Sequence, residues 1–176
     1  CSALPRKFKM AVNAAKEDRT AFQLHDLAVE ALSEQIWRIW VGGGMGRTPI
    51  LAKQFADVPR AEVLGWIESI LRVYNLHGRR DNIYKARIKI LVDALGIEKF
   101  RSEVEEDFAA MYRQELAVTD TSWNAMKSHW TNAPKKSTAD NGVAIRQLRG
   151  DNRAFDRWVE RNVFPHKTPG YAAVTI

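Results

Sequence analysis

Two lysines near the start of the chain, Lys7 and Lys9, stand two residues apart in Leu4-Pro-Arg-Lys-Phe-Lys9. On an extended strand that spacing puts both ammonium groups on one face and Arg6 on the other. Neighbouring like charges repel, and an anion held between them relieves the repulsion. The pair also describes an exposed basic strand, the commoner meaning when spacing is read alone. A second candidate is Gly42-Gly43-Gly44-Met45-Gly46-Arg47-Thr48-Pro49. Glycines at a strand end let backbone N–H groups approach a ligand, and Arg47 adds a charged fork. The run is neither a P-loop nor a dinucleotide fingerprint, because it lacks Gly-Lys-Ser/Thr and its glycine spacing differs. A plain turn is the alternative. The third candidate is Gly78–Lys89, which carries Arg79, Arg80, Asn82, Lys85, Arg87 and Lys89. As a helix it would align Arg80, Tyr84 and Arg87 on one face, and also Lys85 with Lys89. Such a face suits several carboxylates or phosphates, although alone it reads as a solvated surface. His25, His77, His129 and His166 are scattered without metal-ligand spacing. Each reads as a surface or locally bonded histidine. No Ser–His–Asp or paired-carboxylate arrangement stands out.

Composition narrows the chemistry. The 176 residues fit one domain of ordinary size, and 45% hydrophobic content argues for a packed core. The formal net charge of +6 favours anionic partners without choosing one. No apolar run reaches the length of a membrane span, and the opening residues lack the apolar stretch of a signal peptide. Cys1 is the single cysteine. It excludes an internal disulfide and any cluster held by several thiolates of these residues, and it suits a reducing, cytoplasmic setting. No metal ligands are assigned.

The elements that must position these residues follow from periodicity. Phe8, Met10 and Val12 alternate with Lys7, Lys9 and Ala11, a strand pattern. Phe22–Leu27 is a second candidate strand, and Trp37–Val41 a third that stops at the glycines. Val63, Ile67, Ile70 and Tyr74 form a helical stripe that ends at His77-Gly78. A second helix is expected from about Asp81 to Ala94, stopped by Gly96, and a third from Glu98 through Phe100, Val104, Phe108 and Met111. Residues 113–150 read as a connection anchored by Trp123 and Trp130. A short helix follows over Asn152–Asn162, then a strand signal at Gly170–Ile176 that looks cut short.

In order and spacing these segments resemble the sirohaem-dependent nitrite and sulfite reductases, with the bacterial sulfite reductase haemoprotein nearest. The resemblance rests on LPRKFK at Leu4–Lys9, HDL at His25–Leu27, VGGGMGRTP at Val41–Pro49 and GRRDNIYKARIKILV at Gly78–Val92. The run Leu95–Glu105 continues it. Trp158–Ile176 resembles the opening of the family's second ferredoxin-like half-domain. The resemblance implies an α+β fold, a mixed β-sheet with helices packed on one side. It implies residues 1–112 as the first sirohaem- and anion-binding domain and 151–176 as the truncated start of the next half-domain. Its implied reaction is the six-electron reduction of sulfite to sulfide in sulfur assimilation, or of nitrite to ammonia.

In that family the two LPRKFK lysines reach the anion; here they are Lys7 and Lys9, the implied catalytic pair. Arg87 matches the cation that contacts a sirohaem carboxylate. Gly42, Gly43, Gly44 and Arg47 match the run that lies against the macrocycle. The carboxylate role extends to Arg6, Arg80, Asn82, Lys85 and Lys89. The family's four-iron–four-sulfur cluster takes its ligands from cysteines outside this chain, so the isolated chain is expected to be inactive. Implied partners are the anion, the remaining domains of the same enzyme, and a ferredoxin or NADPH-linked flavoprotein donor, with no membrane and no nucleic acid. A non-catalytic anion- or nucleic-acid-binding module and a cofactor-free scaffold are the other readings.

Overall fold

The structure is a computed structural model that describes residues 3–112, 114–130, 142–166 and 171–176. The chain divides into two compact units, Cys1–Lys127 and Ser128–Ile176. The first is built on a four-stranded sheet, β1 (Met10–Asn13), β2 (Leu27–Ala31), β3 (Ile36–Val41) and β4 (Lys53–Pro59), in that spatial order. β1 runs parallel to β2, while β2–β3 and β3–β4 are antiparallel. Three helices, α1 (Val63–His77), α2 (Ile88–Leu95) and α3 (Ile97–Met111), cover one face. The fold is therefore α+β with a mixed sheet.

The core lies between that face and the helices. Leu27, Val29, Ile39, Val41 and Phe55 from the sheet meet Ile70, Tyr74, Ile88, Val92 and Phe100. On the opposite face Phe22 covers Trp40 at a ring separation of 5.2 Å.

Periodicity located β3, α1 and α3 well. Elsewhere the structure corrects the expectation. Residues 4–9 precede β1, so strict alternation does not govern Arg6, Lys7 and Lys9. In β1 it is Ala11 and Asn13 that are buried, whereas Met10 and Val12 are exposed. Phe22–Leu24 is a 3-10 turn, and the strand begins only at Leu27. β4 escaped notice because it carries a bulge. Ile39 pairs with Ala56 and Trp40 with Gln54, which skips Phe55. Phe55 and Val58 then both face the core at a spacing of three, and the period of two is lost. The helix expected from Asp81 starts at Ile88 instead. Asn82 Oδ1 accepts the Tyr84 N–H at 3.0 Å and bends the chain into a 3-10 turn over Ile83–Lys85.

Residues 113–150 contain two helices, α4 (Asp120–Trp130) and α5 (Val143–Asp151), with 131–141 outside the described residues. Buried Arg60 pairs with Asp120 and lies 4.8 Å over the Trp123 ring. Trp130 is exposed. In the second unit α5 is followed by α6 (Arg153–Asn162), whose first N–H groups are capped by Asn152. β5 (Val163–Pro165) and β6 (Ala172–Val174) pair antiparallel, and Gly170, the first residue of the expected final strand, lies outside the described residues.

Tyr74 ties α1 to the segment before α2. Its ring is fully buried and its hydroxyl donates to Ala86 O at 2.8 Å. Burial, and next the negative charge of Asp26, push that hydroxyl up to about 12. A raised acid favours the neutral folded form. Stability is therefore complete below the ordinary tyrosine range near pH 10. It falls as pH rises through the folded value. Tyr74→Phe should cost about 1–2 kcal/mol at pH 7, since it leaves the buried Ala86 carbonyl unpaired. It should also remove the alkaline decline, and urea midpoints against pH measure both effects.

Candidate functional site

The cationic side chains converge on one surface of the first unit. A concavity of about 640 Å³ is lined by Arg6, Lys7, Arg47, Lys85 and Arg87 among others. Its cationic lining also includes Arg79 and Lys89, and no carboxylate of the described residues lines it. Met45, Ile83, Tyr84 and Ile90 supply the apolar part of the wall. The Tyr84 ring is 82% exposed at this wall. A smaller concavity of about 370 Å³ shares Lys7, Met45 and Arg87 and adds Lys9, Leu24 and His25. Lys7 and Lys9 thus both line one concavity, although they precede β1 and strand alternation is not what puts them there. Arg6 joins Lys7 in the larger one, contrary to the expectation of opposite faces.

These cations differ in how free they are. Lys7, Lys9, Arg47 and Lys85 are exposed and make no side-chain bond within the protein among the described residues. Arg87 is held: its Nε and Nη2 donate to Asp26 Oδ1 at 2.9 and 2.7 Å, and Nη1 donates to Met45 O at 3.3 Å. Arg79 is bonded to Asp81, whose carboxyl its guanidinium holds down at about 2. Arg80 donates to Ala3 O, Asn75 O and Asn75 Oδ1, and it lines neither concavity. Asn82 is the cap of its 3-10 turn and also lies off both walls.

Lys89 is a clamp on the glycine loop. It is 5% exposed, and its Nζ donates to Gly44 O at 3.1 Å and to Thr48 O. Burial, and then the neighbouring Arg87 charge, lower its pKa. The loop's carbonyls therefore face a cation inside the protein. Gly42, Gly43 and Gly44 are buried behind the wall and line neither concavity. An added Cβ at Gly44 would sit 2.6 Å from Arg87 Nη2. The glycine run makes room for Arg87.

Asp26 is the organiser that sequence reasoning passed over. It is completely buried. While Oδ1 holds Arg87, Oδ2 accepts the Lys9 N–H at 3.0 Å, and its backbone carbonyl accepts Gly42 N–H at 2.9 Å. One carboxylate fixes the lysine segment, the glycine loop and the arginine. The available signal was a lone acid directly before the apolar run Leu27-Ala28-Val29, since a buried charge needs partners.

The chain is similar to known proteins over the residues that build this unit. The sequence model of the nitrite and sulphite reductase 4Fe-4S domain matches residues 1–111. The protein named sulfite reductase (ferredoxin) 1 of Mycolicibacterium paratuberculosis is 34% identical over 110 residues, covering 60% of this chain and 20% of its own length. The sulfite reductase (NADPH) hemoprotein beta-component of Shewanella baltica is 34% identical over 113 residues, 58% of this chain and 20% of its own. The solved structure of Mycobacterium tuberculosis NirA protein superposes with a TM-score of 0.56 at 31% identity, over 62% of this chain and 20% of that one. This chain spans about a fifth of the length of these relatives. The match to residues 1–111 covers well over half of the sequence, and the chain belongs to the nitrite and sulphite reductase 4Fe-4S domain family.

Proposed function

We propose that the first unit is the sirohaem- and substrate-binding domain of an assimilatory sulfite reductase, which reduces sulfite to sulfide with six electrons. The observation that carries this is a concavity with seven cationic side chains, four large apolar ones and no carboxylate of the described residues. A flat macrocycle rimmed with carboxylates needs that combination. Arg6, Arg47, Lys85 and the free edge of Arg87 would hold the carboxylates, and Met45, Ile83, Tyr84 and Ile90 would meet the ring. When bound, sirohaem supplies the iron that takes the anion and passes electrons to it. Lys7 and Lys9 draw the anion in, stabilise its charge and present ammonium protons to its oxygens.

The iron–sulfur cluster does not fit these residues. Cys1 is the only cysteine, and the described residues hold no group of three metal-ligating side chains. Its ligands belong to other parts of the enzyme. Ferredoxin or an NADPH-linked flavoprotein is the donor in this reading; the relatives' names carry ferredoxin in one case and NADPH in the other. The setting is the cytoplasm. No described helix is long and apolar enough to cross a membrane.

Lys9→Met in the complete reductase tests the proposal. Its side chain is exposed and without a partner, so the urea midpoint should not move. The kcat/KM for sulfite should fall about 100-fold, the cost of losing one charged donor at a reacting oxyanion. Full turnover in this variant refutes the assignment. Running nitrite beside sulfite identifies the preferred anion.

A further inference from the structure

We propose that His25 is a third proton-bearing contact to the oxyanion and that it takes up a proton when the anion binds. The proposal rests on the reading of Lys7 and Lys9 as the anion's ligands. His25 shares the smaller concavity with both lysines, Leu24, Met45 and Arg87. Its Nδ1 lies 3.2 Å from Ala21 O. A carbonyl can only accept, so Nδ1 carries a hydrogen there and Nε2 is the ring nitrogen left for a ligand. The protein holds that arrangement deliberately. Ala21 has φ 49°, the single non-glycine residue with positive φ among the described residues, and the 3-10 turn it starts places its carbonyl on the imidazole. The His25 N–H donates to Phe22 O at 3.1 Å, and the next residue is the buried Asp26.

Charge supplies the coupling. The groups around the imidazole are Lys7, Lys9 and Arg87 from the facing segments, and Asp26. Asp18 bonds the turn itself through Thr20 N and Phe22 N. Asp26 is already engaged by Arg87 and the Lys9 N–H. An oxyanion bound among these cations adds negative charge beside the ring and favours the imidazolium, whose Nε2–H then donates to an anion oxygen. The proton comes from solvent and stays on the ring until a reaction step or anion release removes it.

Sulfate tests this in the chain itself, since its charge is constant from about pH 5.5 to about 8.5, where only imidazole changes among these side chains. The His25 ring is followed by nitrogen-15 NMR with and without sulfate, and sulfate affinity is measured across the same range. The His25 titration should move to higher pH by about one unit, and affinity should weaken about tenfold as pH rises through the shifted midpoint. In His25→Gln, which keeps a donor but cannot titrate, the tenfold gain at low pH should be lost and affinity should stay flat across the range. An unmoved ring, with Lys9→Met still weakening sulfate, overturns the His25 role and leaves the lysine reading intact. No binding, or binding indifferent to Lys9→Met, overturns both.

Discussion

Asp26→Ala is expected to lower the unfolding free energy by about 3–4 kcal/mol, among the largest losses available to a single side chain here. The magnitude follows from what is left behind. Asp26 is fully buried and the Arg87 side chain only 16% exposed, so neither exchanges its partner for bulk water without movement. Truncation strands the guanidinium bonds of 2.9 and 2.7 Å and the Lys9 N–H bond of 3.0 Å together. Arg87 can swing toward the neighbouring concavity, which keeps the loss near the lower end for a broken buried pair. A surface pair behaves differently. Arg38 and Asp57 are 2.7 Å apart, but their side chains are 27% and 37% exposed, so Asp57→Ala should cost about 0.5 kcal/mol. Urea midpoints of both variants, read by tryptophan fluorescence, give the comparison. Adding Arg87→Met to Asp26→Ala should recover part of the loss, because the unpaired charge goes with it. Equal midpoints for Asp26→Ala and Asp57→Ala would show that Asp26 is not the organiser.

The contrast between these carboxylates also marks what the sequence could reveal. Periodicity records burial along one element, so α1, α3 and β3 were legible from Val63, Phe100 and Ile39 outward. It fails where geometry breaks the repeat. The Phe55 bulge hid β4, and the Asn82 cap shortened α2 by seven residues at its start. The cations were legible as a set through the ordered family resemblance, since each segment read alone fits a solvated basic surface. Their division of labour was not. Lys89 and Arg87 stand two apart in sequence with the same charge and both line the larger concavity, yet the Lys89 ammonium is held by backbone carbonyls and the Arg87 guanidinium by a buried carboxylate. That difference depends on which side of the glycine loop each residue meets, a long-range fact. The roles of Asp26 and His25 stayed hidden for the same reason: Arg87 and the lysines lie far away in sequence or across a turn.

The glycine loop gives the second large effect. Gly43→Ala is expected to cost about 3 kcal/mol or more, at the upper end for overpacking. An added Cβ would lie 2.3 Å from Gln23 O, 2.5 Å from His25 O and 2.9 Å from Ala52 N. All three are backbone atoms, so no flexible side chain can step aside. Relief needs shifts of about 1 Å in the turn before β2. The turn is pinned there, since Gln23 O accepts the Ala52 N–H at 2.8 Å and His25 leads directly into buried Asp26. The methyl group would therefore disturb the sheet edge and the anion site together, and sulfate affinity should fall with stability. Gly46 is the control: a Cβ there meets nothing within 4 Å, and Ala carries only the backbone cost of φ +117°. The outcome separates two meanings of the glycine run. A urea midpoint lowered further for Gly43→Ala than for Gly46→Ala, which carries the backbone strain alone, shows that the glycine is needed for close backbone packing behind the wall. A variant that unfolds at the wild-type midpoint but no longer retains a tetrapyrrole would instead put the cofactor, not the backbone, over Gly43.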